Sequence, residues 1–375
     1  MTTLYPTSTG VPTASVVAPR LRITINGADQ AGAIHADIDQ TGHYGADTFE
    51  AEIALGKSGD YSLAWWADQQ NIDVQISVAA SNAGASESWV QLFDGIVDTV
   101  DFDIAPQVVR ISGRDRSSLL IDAPTQEAFP NKTSSEIATL LAERHGLTPN
   151  VATTTILVGQ YYQLEHSTVT LGAFSHQTTE WNLLIYLAQK EGFDLWVSGN
   201  TLNFQPAQSS SGSPIVVSYK APFVASPYPV MSVENLQLSR NLRLASDIEV
   251  TVKSWDSRAN RAYERVVRLP GVHSTATSTV VNYVEVKPGL SPAEALKYGQ
   301  TMLAQLSRHE RVIHTEMPAD TTTTPRQMVQ LSSTGSAFDQ PYYIDSIRRS
   351  LDCNGGFTQT IRAKNSSPRT QQTVI

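Results

Sequence analysis

Four aspartates, Asp94, Asp98, Asp101 and Asp103, crowd one predicted hairpin. Paired carboxyls are how a glycosidase cuts a sugar chain, one as acid and the other as base or nucleophile. That chemistry would make the chain a peptidoglycan hydrolase, with Asp98 and Glu136 the carboxylates to neutralise in a test. A plainer reading weighs more. Asp101 and Asp103 stand at period two, so in a strand they share a face, and a solvated acidic face discourages edge-to-edge aggregation. Aromatic residues raise a carbohydrate-binding or receptor-binding alternative through Trp65, Trp66, Trp89, Trp181, Trp196 and Trp255. Trp181 falls on an apolar helix position and Trp196 in a hairpin, where packing claims both. Trp65 and Trp66, if they lie in a strand, point to opposite faces, so at least one is exposed to a partner.

Other chemistry finds less support. Ala51-Glu52-Ile53-Ala54-Leu55-Gly56-Lys57-Ser58 resembles a phosphate-binding loop, but Ala51 stands where the first glycine must bend the chain, and the apolar pattern is that of a strand. The histidine pairs His35/His43 and His309/His314 have no spacing that puts two ligands on one face of a short helix. No Gly-x-Ser-x-Gly elbow is present. Cys353, in the turn Asp352-Cys353-Asn354-Gly355-Gly356, has only Arg348 and Arg349 as nearby cations and reads as a surface thiol. No catalytic, cofactor-binding or metal-ligating residue is therefore assigned, no cofactor is expected, and the chain is read as a non-enzyme.

The elements that would position any site are mostly strands. The 375 residues suit two or three domains, and 41% hydrophobic with 17% charged residues is ordinary for a folded protein. A net charge of -9 argues against a basic footprint for nucleic acid or anionic membrane. A single cysteine forbids an internal disulfide and fits assembly in a cytosol. The first 19 residues lack the basic stretch and apolar core of a secretory signal, and no run of about 18 apolar residues predicts a membrane span.

Residues 1–19 read as an N-terminal arm, and 20–116 as a small barrel or sandwich of strands alternating at period two, with Leu21-Ile23-Ile25, Phe49 to Leu55 and Ile72-Val74-Ile76-Val78 as examples. At 117–207 the texture changes to a small α/β domain. Thr133 and Glu136 have capping-box spacing ahead of Ile137, Leu140 and Leu141, with Gly146 as the stop. A second helix starts near Thr178-Thr179-Glu180, carries Trp181, Leu184, Ile185 and Ala188 on one side, and ends at Gly192. Phe193 to Ser198 then pairs with Thr201 to Phe204 across Gly199-Asn200. Residues 208–240 hold a Ser-rich linker and the start of a second barrel. An insertion at 241–315 predicts strands Asp247 to Trp255 and Glu264 to Leu269, then a helix opened by Ser291-Pro292-Ala293-Glu294 with Leu296, Leu303 and Leu306 along it. Residues 316–365 complete the second barrel, and 366–375 form a polar tail. The fold class is thus α+β, mainly β, with two antiparallel barrels, an inserted α/β domain and one further helix-bearing insertion.

One strand segment occurs twice. Ile96-Val97-Asp98-Thr99-Val100 matches Tyr343-Ile344-Asp345-Ser346-Ile347, and the strand after each ends alike, Ile111-Ser112-Gly113-Arg114-Asp115 and Ile361-Arg362-Ala363-Lys364-Asn365. A chain that carries one unit twice presents, as a trimer, six quasi-equivalent units to a sixfold partner.

Met317-Pro318-Ala319-Asp320, Thr324-Pro325-Arg326-Gln327, Ser333 to Gln340, Tyr342 to Ile347 and Gly355-Gly356-Phe357-Thr358-Gln359 resemble the last barrel of phage tail baseplate hub proteins, the late control D family. Ser112-Gly113-Arg114-Asp115, the capped helix at Asn131-Lys132-Thr133, and Trp181-Asn182-Leu183-Leu184 leading to Gly192-Phe193 and the Gly199-Asn200 hairpin follow that family's order, so the resemblance covers most of 20–365. The chain departs at Pro318-Ala319-Asp320, where members commonly carry Pro-Gly-Asp, and a different turn is expected there. The resemblance implies a homotrimer that joins a sixfold tail tube to a threefold central spike in a virion baseplate, assembled in the host cytoplasm. It implies tail-tube-like barrels whose edges pair across subunits, with the central spike, the tail tube or distal tail protein, the tape measure protein and baseplate wedge proteins as partners. DNA would pass only transiently through an acidic channel during genome ejection. The N-terminal part of type VI secretion spike proteins is similar too, but these continue into an oligosaccharide-binding-type barrel and a β-helix. No such repeat precedes Ile375, so a separate spike protein is expected.

Overall fold

The computed structural model describes residues 19–56, 61–80, 88–125, 127, 129, 131–158, 179–207, 213–222, 228–241, 248–256, 261–268, 281–307, 311–352, 356–365 and 373–374. Most of the arm, linker and tail, together with Lys57, Ser58, Thr178, Asp247, Leu269, His309 and Cys353, lie outside these residues. The chain divides into two compact units. The first comprises Met1–Ser209, Glu316–Pro325 and Asp345–Ile361, and the second Ser210–Thr315, Arg326–Ile344 and Arg362–Ile375.

The first unit opens with β1 (Arg20–Ile25) and β2 (Ala28–Asp29), joined by Asn26-Gly27 with φ of 48° and 82°, the left-handed pair that a two-residue hairpin needs. There follow β3 (Ala33–Thr41), β4 (Thr48–Ala54), α1 (Leu63–Asp68), β5 (Asp73–Ala80), β6 (Ser88–Asp103) and β7 (Val108–Asp115). All pairings among these strands are antiparallel, in the order β2-β1-β5-β6-β7-β4-β3. Period-two alternation buries Ile23, Ile25, Phe49, Ala51, Ile53, Val74, Ile76, Val109 and Ile111 in one core, each large side chain contributing roughly 1.5–3 kcal/mol. Ala51 to Ala54 therefore belong to a strand. Where β6 crosses β7 the backbones touch: a Cβ on Gly113 would lie 2.0 Å from Ile96 O, and one on Gly95 2.3 Å from Arg114 O. The ladder slips between Val97 and Thr99 just beyond, so β6 bends there.

Trp65 and Trp66 lie in α1, contrary to the strand from which their opposite faces were read. Ser62 caps this short helix by accepting from Trp65 N, and Leu-Ala-Trp-Trp-Ala has no β-branched residue to resist helix. Trp66 is 3% exposed in the core, and Trp65 packs edge-on against it at 5.0 Å and on Tyr61 at 4.5 Å.

The same unit contains α2 (Ser118–Ile121), α3 (Ser134–Arg144), β8 (Thr148–Val151), α4 (Glu180–Glu191), β9 (Phe193–Ser198) and β10 (Thr201–Pro206). Their sheet runs β8-β10-β9, with β8 parallel and β9 antiparallel to β10. The capping box forms at Thr133 and Glu136, Thr179 caps α4, and Gly192 ends it at φ 72°. Ile137, Leu141, Trp181, Leu184 and Ala188 are buried together, with Leu140 and Ile185 packed at the margin. Tyr44, in the β3–β4 loop, donates its hydroxyl to Phe193 O and accepts from Trp181 Nε1, tying this layer to the first sheet.

The second unit begins with β11 (Ile215–Lys220), β12 (Val230–Met231) and β13 (Asn235–Arg240). Next come β14 (Ile248–Asp256), β15 (Arg261–Arg268), β16 (Val281–Val286) and α5 (Pro292–Ser307). Then follow β17 (Arg311–Pro318), β18 (Met328–Ser332), β19 (Pro341–Asp352), β20 (Gly356–Asn365) and β21 (Thr373–Val374). The sheet β16-β14-β15-β21 packs Ile248, Val250, Val252 and Val267 on Ala295 and Leu303 of α5. Ser291 and Glu294 exchange the capping bonds at the start of α5. Strands β17, β19 and β20 pass through both units. Ala319, between β17 and the Asp320 turn, keeps a negative φ and donates its N–H to Phe357 O.

The repeat seen in five residues extends to the topology. The remaining strands run β12-β11-β18-β19-β20-β17-β13. Taken in chain order, both sets have the neighbour sequence second, first, fifth, sixth, seventh, fourth, third, with β14 to β16 and α5 inserted between the third and fourth strands of the later set. One difference stands: β1 is antiparallel to β5, whereas β11 is parallel to β18. The matched strands also share a kink. Phe93 and Gly95 are buried and Val97 faces the core, then Val100 and Phe102 do, so inward parity switches across Asp98-Thr99. In β19 Tyr342 and Ile344 are buried, then Ile347, Arg349 and Leu351, a switch across Asp345-Ser346.

Candidate functional site: a charged sheet face

The polar side of β19, β3, β4, β7 and β6 forms a groove of about 420 Å³ within the first unit. Strand alternation puts its charges there: residues next to the core point in, and the others come out in rows across the sheet. Asp37, Asp39, Glu50 and Asp98 line it together with Arg114, Arg348, Thr99 and Ser112. Arg348 Nη2 donates to Asp37 Oδ2 at 2.6 Å. Arg114 grips Asp98 through Nε and Nη2 at 2.6 and 2.9 Å, and reaches Asp122 at 2.7 and 3.1 Å. Outside the groove Arg110 Nε donates to Glu52 at 2.7 Å. Each such half-exposed pair contributes on the order of 0.2–1 kcal/mol, so the row fixes side-chain geometry more than stability.

Burial pushes the Asp37 carboxyl up, but hydrogen bonds from Arg348 and Ser350 and the nearby His35 outweigh it and hold it below the usual carboxylate range. Asp39 goes the other way: burial raises it despite Arg348, with Asp37 adding to the rise. Hydrogen bonds to Asp98 and Asp122 hold the Arg114 proton more tightly than in a free guanidinium. Four carboxylates against two guanidiniums leave the groove acidic, a surface that repels phosphate.

The aspartates that suggested hydrolysis have different surroundings. Asp94 accepts from Arg116 Nε at 3.1 Å and from Gln75 and Gln91 at 3.2 Å. Asp98 is held by Arg114, and Glu136 is spent on the α3 cap, accepting from Thr133 N at 2.8 Å. Asp101 is exposed, and in the ladder it stands opposite Arg110, with Asp103 opposite Val108. His35 lies 3.1 Å from Asp37 and 3.5 Å from Asp352, and His43 3.0 Å from Asp345, each holding an end of the β3·β19 ladder. Arg349 turns inward, donating to Gln40 and Thr323 O, and burial pulls its proton affinity down to about 10. The roles of Asp37, Asp39, Glu50 and Arg348 were not read from sequence. Period-two charge in β3 and β4 was the available signal, but partners lie across strands far apart in the chain.

No protein-family model and no curated protein matches the chain. Solved structures do. A tail protein from Neisseria meningitidis superposes with a TM-score of 0.67 at 14% identity, over 94% of this chain and 98% of that one. The 43 kDa tail protein of prophage MuSo2 from Shewanella oneidensis gives 0.63 at 15% identity, over 92% and 97%. The chain has the phage tail-protein fold. A chain of the Francisella PdpA-VgrG complex is similar at TM-score 0.56 and 11% identity, over 95% of this chain but 59% of its own length.

Proposed function

We propose that the protein is the structural hub of a phage tail baseplate, of the late control D kind, a homotrimeric adaptor between a sixfold tail tube and a threefold central spike. The observation that carries this reading is the doubled strand order, which gives each chain two equivalent units. Three chains then offer six units to a sixfold ring while keeping threefold symmetry for the spike. Each strand set curls into a tube-like barrel, and the α/β layer of 117–207 stands outside. Full-length likeness to two phage tail proteins supports a tail role, and likeness to a chain of the PdpA-VgrG complex supports a spike-facing one. The acidic groove suits a channel that DNA leaves without sticking. The same features weigh toward a structural protein rather than an enzyme, because the candidate carboxylates are engaged by arginines and a helix cap.

Light scattering on the purified protein, alone and with the cognate spike, tests the reading. The expected mass is about 122 kDa, three times the 40.8 kDa chain. A mass of one chain in both preparations overturns it.

A further inference from the structure

The second strand set buries a charge where the first packs apolar side chains. Counting on from the matched Asp98 and Asp345, Phe102 corresponds to Arg349, and counting back from Ile111 and Ile361, Val109 corresponds to Gln359. Phe102 and Val109 are ladder partners whose side chains join the first core. Arg349 and Gln359 face inward too, at 2% and 1% exposure. Arg349 Nη1 donates to Gln40 Oε1 on β3, and Nη2 to Thr323 O in the turn after β17. The contacts run on from both partners. Gln40 Nε2 donates to Asp47 at 3.5 Å. Asp320, itself 2% exposed, accepts from Thr323 N and Oγ1 at 2.6 and 2.7 Å and from Gln359 Nε2 at 3.5 Å. Asp47 and Asp320 both favour the charge of this guanidinium against its burial.

Stability alone would not require this arrangement. Arg349 Nε and Gln359 Oε1 are buried and, among the described residues, lack a hydrogen-bond partner. A polar network left incomplete is a poorer core than the phenylalanine and valine of the first set. What a buried charge supplies is discrimination between partners. In the β3·β19 ladder the inward pairs are Ile347–Gln40, Arg349–Ile38 and Leu351–Ala36. A slip by one residue would turn these side chains to the other face, and apolar residues are enough to forbid it. A slip by two that sets Arg349 opposite Ala36 keeps every inward residue inward, so apolar residues barely resist it. That slip carries Gln40 away from the guanidinium and leaves a buried charge short of an acceptor. We infer that Arg349 is the positioning residue that selects β3 as the neighbour of β19 and fixes their register, with Gln40 as its receptor and the Thr323 turn as its anchor. The outward pairs Arg348–Asp37 and His43–Asp345 are partly exposed and discriminate less. The joint lies within one chain, so its register is independent of oligomeric state.

Disulfide trapping reads that register. Gly42 N donates to Asp345 O, so Thr41 and Ser346 beside them form the closer, non-hydrogen-bonded kind of ladder pair. In a Cys353→Ser chain, Ser346→Cys is combined either with Thr41→Cys or with Asp39→Cys, the partner position after the slip, and each chain is equilibrated in a glutathione redox buffer. With Arg349 present only the 41/346 pair is expected to close. Arg349→Met and Gln40→Met together remove the guanidinium and the group that receives it. In that background the 39/346 pair is expected to close at least about tenfold more than before, while the thermal midpoint stays level or rises. A 39/346 pair that stays open overturns the role whatever the midpoint does, and loss of the native far-ultraviolet spectrum overturns it too, because Arg349 then serves stability alone. Arg349→Lys keeps the charge without the two-armed fork and is expected to give an intermediate ratio of the two closures. A ratio equal to that of the chain with Arg349 counts against selection by the fork.

Discussion

Asp115 and Asn365 end corresponding strands, β7 and β20, and both are buried, at 6% and 1% exposure. Each helps tie its strand to the start of the fourth strand: Asp115 N donates to Asp47 O, and Asn365 Oδ1 accepts from Arg311 N. Only the aspartate titrates. Burial pushes its carboxyl up to about 6, against hydrogen bonds from Ser117 and Asp47. A raised carboxyl binds its proton more tightly folded than unfolded, so this group's contribution is fully present below about pH 4 and is lost as pH rises through 6, by about 3 kcal/mol. Asp115→Asn, the residue the second copy uses, is expected to remove that downward slope, seen as a Tm difference between pH 4 and 7 that shrinks in the variant. Gly113 makes the opposite point. Its counterpart is Ala363, but at Gly113 a Cβ would strike Ile96 O, so Gly113→Ala should cost more than about 3 kcal/mol in denaturant titration, whereas Ala363→Gly should cost about 1 kcal/mol.

At the scale of elements, the α3–α4 pair has a charged clamp that periodicity does not reveal. Glu180, the first residue of α4, is 3% exposed and accepts from Arg144 Nη1 and meets His145 Nε2, both at 2.6 Å. Arg144 lies in the last turn of α3 and His145 at its cap, and the Arg144 charge also offsets the carbonyl end of that helix. Glu180→Gln removes the buried carboxylate that Arg144 and His145 share, leaving Arg144 its bond to Glu127, and should destabilise by roughly 1.5–3 kcal/mol, measured by thermal unfolding. Thr133→Ala removes a cap and should cost about 1 kcal/mol. Caps, glycine stops and the Gly199-Asn200 hairpin were legible because the signal and the element are adjacent in sequence. α1 was missed because it is short, and two tryptophans side by side carry no period that separates helix from strand.

For the whole molecule, the acidic balance predicts weak contact with DNA. The protein should fail to shift a duplex in a gel at low salt, where a net charge of -9 and an acidic groove act most strongly. Retention of duplex DNA under those conditions would contradict a channel lined by this face. The five-residue repeat hinted at two equivalent units, and its physical content is larger: a shared seven-strand order and a shared switch of inward parity. A parity switch is invisible as a motif because it changes which face a residue occupies while leaving residue types unchanged.

By itself the sequence determined the elements with local signatures: the alternating strands, the capped helices, the glycine turns and the doubled Asp-hydroxyl segment. Only tertiary structure decided that β3 joins β19 and that Arg348 meets Asp37. The reason is range. Caps and turns are settled by residues a few positions apart, whereas strand partners separated by some three hundred residues are chosen by burial and ladder geometry across the whole sheet.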